Sequence, residues 1–570
     1  MRYLGSFTDA GPLLSRKRNA RRFRYSFVLV ASLISTVAFA KTYQVGPSRS
    51  QKSLSESFMS SLKAGDVVEI DGDHTYGGFE ITASGTSANP ITIRGVRVNG
   101  KRPVIQSSGG FTVHVSLAEH NVIEGLEITG GHICFRHYGA HTILRDTEIH
   151  HCTNGILGTD YSSGPLTVEY TELHNNGSGD QHHQIYMTTN STEYPGSVFR
   201  LQYSYIHSGI GGNNVKTRSE RNEIYYNWIE DAFYHELELI GPDADDYDPR
   251  GEVLPREDSD IVGNVLRSMP NTSWCTIRVG GDGTGGTAGR YRFVNNTILI
   301  PSSMTGAVFR HFSVLESIEM HNNVLYAEGG GGLKVALQQG LDANWDEHEE
   351  DVYVWSTGKK VIAGTNNWIP TGSTGIPTQW TGTLTGTDPG FENLSTFDLR
   401  PTASSPLVDK GASSTASAVG YDFPNPQVIP LFSPPARTLL SVGTIQARPA
   451  VGTMDIGAYE YGSGPPNTNP GTGGTGGTAG TGGTGGTAGT GGTGGTGGTG
   501  ATGGTGGTGG SGGGETLPTD AGVDGNTTQN NLTNTTLSGG CALTPDPVTG
   551  ASLFLLIAAM FWAFRRRGRR

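Results

Sequence analysis

The chain has 570 residues, 87 of them glycine, and 27 of those glycines fall within the 44 positions 471–514. No Gly-X-Y period is present, which excludes collagen, and a cost of about 1 kcal/mol per helical glycine weighs against a helical bundle. The formal charge is −12, but removing the basic first 40 residues and the last six leaves 28 − 51 = −23, an acidic body that excludes general nucleic-acid binding.

Residues 1–40 read as an export signal. Arg16, Lys17, Arg18, Arg21, Arg22 and Arg24 precede the apolar run Phe27–Phe39, and Ala38-Phe39-Ala40 is a small-x-small cleavage site that puts the mature start at Lys41. The alternative is an uncleaved membrane anchor.

Residues 41–462 form the body. Asn121–Thr129, Thr142–His150, Leu166–His174, Phe199–His207, Asn222–Glu230, Asp260–Arg267, Tyr291–Leu299 and Ile318–Tyr326 each alternate apolar and polar residues, as strands do. Aligned on Ile128, Ile149, Leu173, Ile206, Ile229, Leu266, Ile298 and Leu325, they recur with a basal period near 22 residues plus insertions. Second strands are predicted between them at Ile133–His137, Ile156–Asp160, Ile185–Thr189, Val215–Ser219, Leu237–Ile240, Ile277–Gly280 and Leu333–Leu337. Short strands, glycine turns and no helices between them imply an all-β solenoid, a right-handed parallel β-helix. Asn227, Asn264, Asn296, Asn323 and Asn367 each stand two residues before an apolar residue, so stacking would align them into an amide ladder. Cys134 and Cys152 are either a disulfide or two buried thiols; four cysteines make no disulfide framework.

The opening segment Ser84-Gly85-Thr86-Ser87-Ala88-Asn89-Pro90-Ile91-Thr92-Ile93 resembles the first coils of the pectate-lyase-like β-helix superfamily. Asp388-Pro389-Gly390-Phe391, Ser405-Pro406-Leu407-Val408-Asp409-Lys410-Gly411 and Asp455-Ile456-Gly457-Ala458-Tyr459-Glu460 resemble the closing segments of the choice-of-anchor Q type. This resemblance implies the fold; the superfamily includes lyases, hydrolases, epimerases and binders.

Alternation along the second strands points Tyr186, Lys216, Arg218, Glu236, Glu238 and Arg278 outward. Lys216, Glu238 and Arg278 should form one column at about 4.8 Å per coil, with Arg136 and Lys334 extending the face and His182 and His183 at its edge. A basic-leaning stripe on an acidic protein suits an acidic saccharide, although a cross-strand ion ladder has the same pattern. Thr217-Arg218-Ser219-Glu220-Arg221-Asn222 resembles the catalytic coil of chondroitinase-B and alginate lyases, whose lysine base falls on Arg218; the calcium-holding glutamates of that family fall on Gly211 and Asn213.

Three functions remain open. A polysaccharide lyase would use Arg218 or Lys216 as base, Arg278 or calcium to neutralise a uronate, and Tyr186 or His183 as donor to the leaving oxygen, with Glu236, Glu238, Arg136 and Lys334 contacting substrate. A glycoside hydrolase would use Glu236 and Glu238, roughly 7 Å apart along a strand. A glycan-binding adhesin would need no catalyst. Asp243, Asp245 and Asp246 lie in an acidic insertion that is either a calcium loop or a solvated loop, without EF-hand spacing. Residues 281–289 lack the Lys-Ser/Thr of a phosphate loop.

Residues 463–540 read as a disordered Gly/Thr linker, in which the 44-residue tract would span roughly 35–40 Å. In 541–570, Cys541, the apolar run Ala551–Phe564 and five terminal arginines resemble the myxobacterial C-terminal sorting tail. That resemblance implies processing near Cys541 by a sorting protease and display at the cell surface or outer membrane; a plain tail anchor is the alternative. The expected protein is an exported monomer that meets the membrane only through this tail, with an acidic polysaccharide as partner and calcium as the one cofactor in question.

Overall fold

A computed structural model describes residues 40–465, apart from 160, 242–256, 269–274, 282–288, 302–305, 313–314, 340–360 and 418–419. The expected export signal before Ala40, the acidic insertion, the Gly/Thr tract and the tail with Cys541 lie outside the described residues. Among those described, no helix is long and apolar enough to cross a membrane, and the only α-helix is the four-residue Glu56–Met59.

The alternation seen in the sequence folds as expected. Each coil adds strands to two long parallel sheets, one of 23 and one of 10 strands among the described residues. In the first sheet Ile128, Ile149, Leu173, Ile206, Ile229, Leu266, Ile298 and Leu325 each pair with the next in unbroken register. Strand-to-strand crossovers within one parallel sheet are right-handed, so the fold is the right-handed parallel β-helix. The core lies between the sheets. Phe135, Ile156, Ile185, Val215, Leu237, Ile277 and Phe309 stack down the second sheet with no exposure.

The five asparagines form the expected ladder. Asn227 Nδ2 donates to Asn264 Oδ1, Asn264 to Asn296, Asn296 to Asn323 and Asn323 to Asn367, at 3.0–3.1 Å. Each ladder oxygen after the first also accepts the main-chain N–H of the asparagine one coil earlier. The residue before each ladder asparagine is left-handed: Tyr226, Gly263, Asn295, Asn322 and Asn366, φ 52–69°. Asparagine and glycine tolerate that conformation best, which accounts for the Asn-Asn pairs at 295–296, 322–323 and 366–367.

Cys134 and Cys152 form a disulfide, with Cα atoms 5.6 Å apart. After the last coil the chain turns back along the outer face of the first sheet. Arg221, Arg290 and Arg292 hold it through the carbonyls of Pro424, Asp422 and Gln427, Arg437 pairs with Glu230, and Arg448 with Glu460 of the closing segment. This return packs on the later coils of the first sheet, and the predicted stripe lies on the second.

Candidate functional site

Register places Arg136, Leu157, Tyr186, Lys216, Glu238, Arg278 and Arg310 at successive positions of one outward column on the second sheet. Four of these were expected there together: Arg136, Lys216, Glu238 and Arg278. Tyr186 is level with Lys216, whose Nζ sits over its ring at 5.1 Å. Arg218 is one step along the strand; its Nε donates to Tyr186 Oη at 3.0 Å and its Nη1 to Gly241 O at 2.6 Å.

Glu238 is the hub. Its carboxylate takes Arg278 Nη2 at 2.7 Å, Lys216 Nζ at 3.3 Å and Asn213 Nδ2 at 2.5 Å, and its side chain is 2% exposed. Burial alone would raise this carboxyl; the charges of Arg278 and Lys216 outweigh it and hold Glu238 far below the usual carboxylate range.

Arg310 is the residue that the sequence reading missed. It lies on the strand Phe309–Phe312, level with Arg278, so two guanidinium-bearing strands are neighbours at about 4.8 Å. Arg310 is 6% exposed, and its Nε and Nη1 are buried without an acceptor among the described residues. The step from Ile277 to Phe309 is 32 residues, the same as from Leu266 to Ile298 in the first sheet; that equality was the available signal.

Two expectations are corrected. Glu236 does not share the outer face with Glu238. Its oxygens accept from Ala232 N and Asn214 Nδ2, at 3.0 and 2.6 Å, inside a corner ladder that continues to Gln184 and Asn176. The alternation fails because Glu236 precedes the strand Leu237–Leu239, in the turn; burial raises its carboxyl well above the ordinary value. Lys334 does not extend the column. The end strand of the second sheet among the described residues is Ala336–Gln339, which puts Leu337 level with Arg310, and Lys334 is exposed before it, level with Thr374.

A second column, Asn154, His183, Asn213, His235, runs along the corner beside Glu238. Each side chain holds the next coil: Asn154 Oδ1 accepts His183 N, His183 Nδ1 accepts Asn213 N, and Asn213 Oδ1 accepts His235 N, at 2.9–3.1 Å. His183 also meets Tyr186 edge-on at 5.3 Å. Burial, reinforced by Lys216 for His183 and by Arg278 for His235, lowers both imidazoles to about 3. His182 bonds Ser178 O outside this column.

Gly211 and Asn213 bring no carboxylate, Asn213 is spent on His235 and Glu238, and no group of three or more ligating side chains that could hold a metal occurs among the described residues. Asp243, Asp245 and Asp246 fall outside them. The described residues do not fit the calcium site that the resemblance implies.

No known protein family and no curated protein matches the sequence. Among solved structures, the chain is similar to pectate lyase Pel9A (14% identity, 75% of this chain and 98% of that one, TM-score 0.41). It is also similar to an alginate lyase from Paenibacillus sp. str. FPU-7 (15%, 61% and 99%, TM-score 0.33). A third is a GH136 lacto-N-biosidase from Eubacterium ramulus (13%, 59% and 68%, TM-score 0.31).

Proposed function

We propose that the second-sheet face binds an acidic polysaccharide and cleaves it by β-elimination. The observation that carries this is the buried Arg278–Arg310 neighbourhood, in which Arg310 Nε and Nη1 have no acceptor among the described residues. A buried guanidinium N–H without a partner costs on the order of 1–3 kcal/mol, more when charged, and a planar carboxylate satisfies it in the fork geometry that arginine offers. Neutralising a uronate carboxylate is also what makes its C5 proton removable. Lys216, an ammonium already paired with Glu238, supplies charge to this recognition, and Tyr186 supplies an aromatic face for a sugar ring. The hydrolase reading is weaker because Glu236 is turned into the corner ladder, away from Glu238.

The same reading makes the protein an exported enzyme held off the cell surface by its Gly/Thr linker. The test is incubation of the purified chain with alginate, pectate and glycosaminoglycans, reading the ultraviolet absorbance of unsaturated uronates. Activity that falls about 10²–10³-fold in Arg310→Ala supports the proposal, by analogy with loss of one charge-stabilising donor. Reducing ends without unsaturated product would instead show hydrolysis, and binding without turnover an adhesin.

A further inference from the structure

Resting on the reading of the second sheet as the face for an acidic polysaccharide, we propose that the polymer lies along the axis of the stack and is held, far from Arg278 and Arg310, by three exposed rings: Phe111, Tyr161 and Phe233. Among the described residues only four Phe, Tyr or Trp side chains are well exposed: Phe111 at 44%, Phe233 at 45%, Tyr161 at 67% and Tyr461 at 37%. Three of the four border the second sheet, and Tyr461 belongs to the closing segment. Single exposed apolar side chains are ordinary on a surface. Rings gathered around one face, beside its arginines, are the composition of a binding surface.

Each ring is fixed at its base. Phe111 begins the strand Phe111–Glu119. The Arg136 guanidinium lies 5.9 Å from its centroid, and the His114 ring, itself held by Glu80 at 3.2 Å, lies 4.8 Å from it. Phe233 stands in the turn before Leu237–Leu239, between two anchored neighbours. Ala232 N donates to Glu236 Oε1 at 3.0 Å, and the Tyr234 ring rests against His235 at 4.1 Å. Tyr161 follows the strand Asn154–Leu157; its N donates to Thr159 Oγ1 at 3.2 Å and its carbonyl accepts from Asn190 Nδ2. Rings positioned in advance lose little freedom when a ligand covers them.

Register gives the scale. The strand of Phe111 and the strand that Phe233 enters are five spacings apart in the second sheet, about 24 Å, and the strand of Arg310 is two further, about 34 Å from Phe111. Phe111 and Phe233 stand where strands begin and Tyr161 where one has ended, so the column of charges runs between them. No small ligand reaches across that distance, and a polymer does. The column carries Arg136, Lys216, Arg278 and Arg310 against Glu80 and Glu238, on a body whose count is −23. A polyanion is repelled by that body and drawn to this face. A uronan matches both parts, with carboxylates for the guanidinium groups and the C–H faces of its sugars for the rings. Contacts remote from the reacting sugar help to position it, so binding and turnover should both depend on chain length.

The test is the double variant Phe111→Ala/Phe233→Ala, with Tyr161→Ala as a second, independent variant and Tyr461→Ala as the control ring away from this face. Binding is read by affinity electrophoresis in gels holding alginate, pectate or a glycosaminoglycan, turnover by unsaturated product, and folding by melting temperature. Each ring removed from the track should weaken binding of the polymer about two- to tenfold, while Tyr461→Ala binds as the parent does. The loss in the double variant should be smaller on a trisaccharide of the same sugar, which is too short to touch both rings. Polymer binding by the folded double variant equal to the parent's, or an equal loss on trisaccharide and polymer, overturns the track and leaves the elimination reading standing. A parent that binds without forming unsaturated product overturns elimination, and weaker polymer binding by the double variant then still supports the track. A parent that binds none of the polymers overturns both.

Discussion

Replacing Asn296 by alanine removes the middle rung of the amide ladder and should be among the most destabilising single changes in the chain. Asn296 Oδ1 accepts both the main-chain N–H and the Nδ2 of Asn264, each at 3.0 Å, while its Nδ2 donates to Ile261 O at 2.9 Å and Asn323 Oδ1 at 3.0 Å. All of these asparagines are 0% exposed, so water does not replace the lost partner. Asn323 Oδ1 keeps the Asn296 main-chain N–H, whereas two donors of Asn264 are left with no acceptor. At about 1–3 kcal/mol for each orphaned buried group, the loss is roughly 2–6 kcal/mol. Arg94→Ala provides the comparison: it breaks a cross-coil pair with Glu124, but Arg94 is 42% exposed, and such a pair is worth no more than about 1 kcal/mol. Urea unfolding followed by tryptophan fluorescence and far-ultraviolet circular dichroism measures both. In a solenoid, whose coils contact only their neighbours, the defect should also separate the two probes' transitions. An Asn296→Ala midpoint within error of Arg94→Ala would refute the claim that the ladder stabilises the stack.

Reduction of Cys134–Cys152, 18 residues apart, should remove about 3 kcal/mol on the loop-entropy estimate; an unchanged melting temperature with reductant, once thiol titration shows the bond open, would contradict it. Arg448→Gln should cost about 3–5 kcal/mol by stranding Glu460 in a pair whose side chains are 3% and 4% exposed, and limited proteolysis should then release the closing segment first. Glu238 has a lowered folded pKa, so its ionised form contributes stability that is present above the unfolded glutamate value of about 4.3 and is lost as pH falls toward the folded value. Glu238→Gln should therefore flatten the fall in stability below about pH 4.3, and an acid limb identical to the parent's would show that Glu238 does not carry it.

The fold was legible because its determinants are periodic. Eight apolar positions from Ile128 to Leu325 and five asparagines repeat along the chain, and one coil's chemistry is the next coil's, so register could be read by alignment alone. Lys334 and Glu236 were misplaced where periodicity ends: one lies before its strand and the other in a turn, and side-chain direction there follows the corner's hydrogen bonds. The place of His235 in the corner column was out of reach for another reason, since its ring is held by a carbonyl 40 residues away. Arg310 was within reach, given the matching 32-residue steps. The two kinds of column also differ in what they demand. An amide carries both donor and acceptor, so asparagines stacked at one spacing satisfy each other and the column closes on itself. Arginine carries only donors, so a column in which Arg278 is followed by Arg310 cannot close that way. Glu238 is already taken by Lys216, Arg278 and Asn213, and Arg310 stands two strands beyond it, past Arg278. A second buried guanidinium there carries a desolvation cost, which the acidic ligand proposed above would offset.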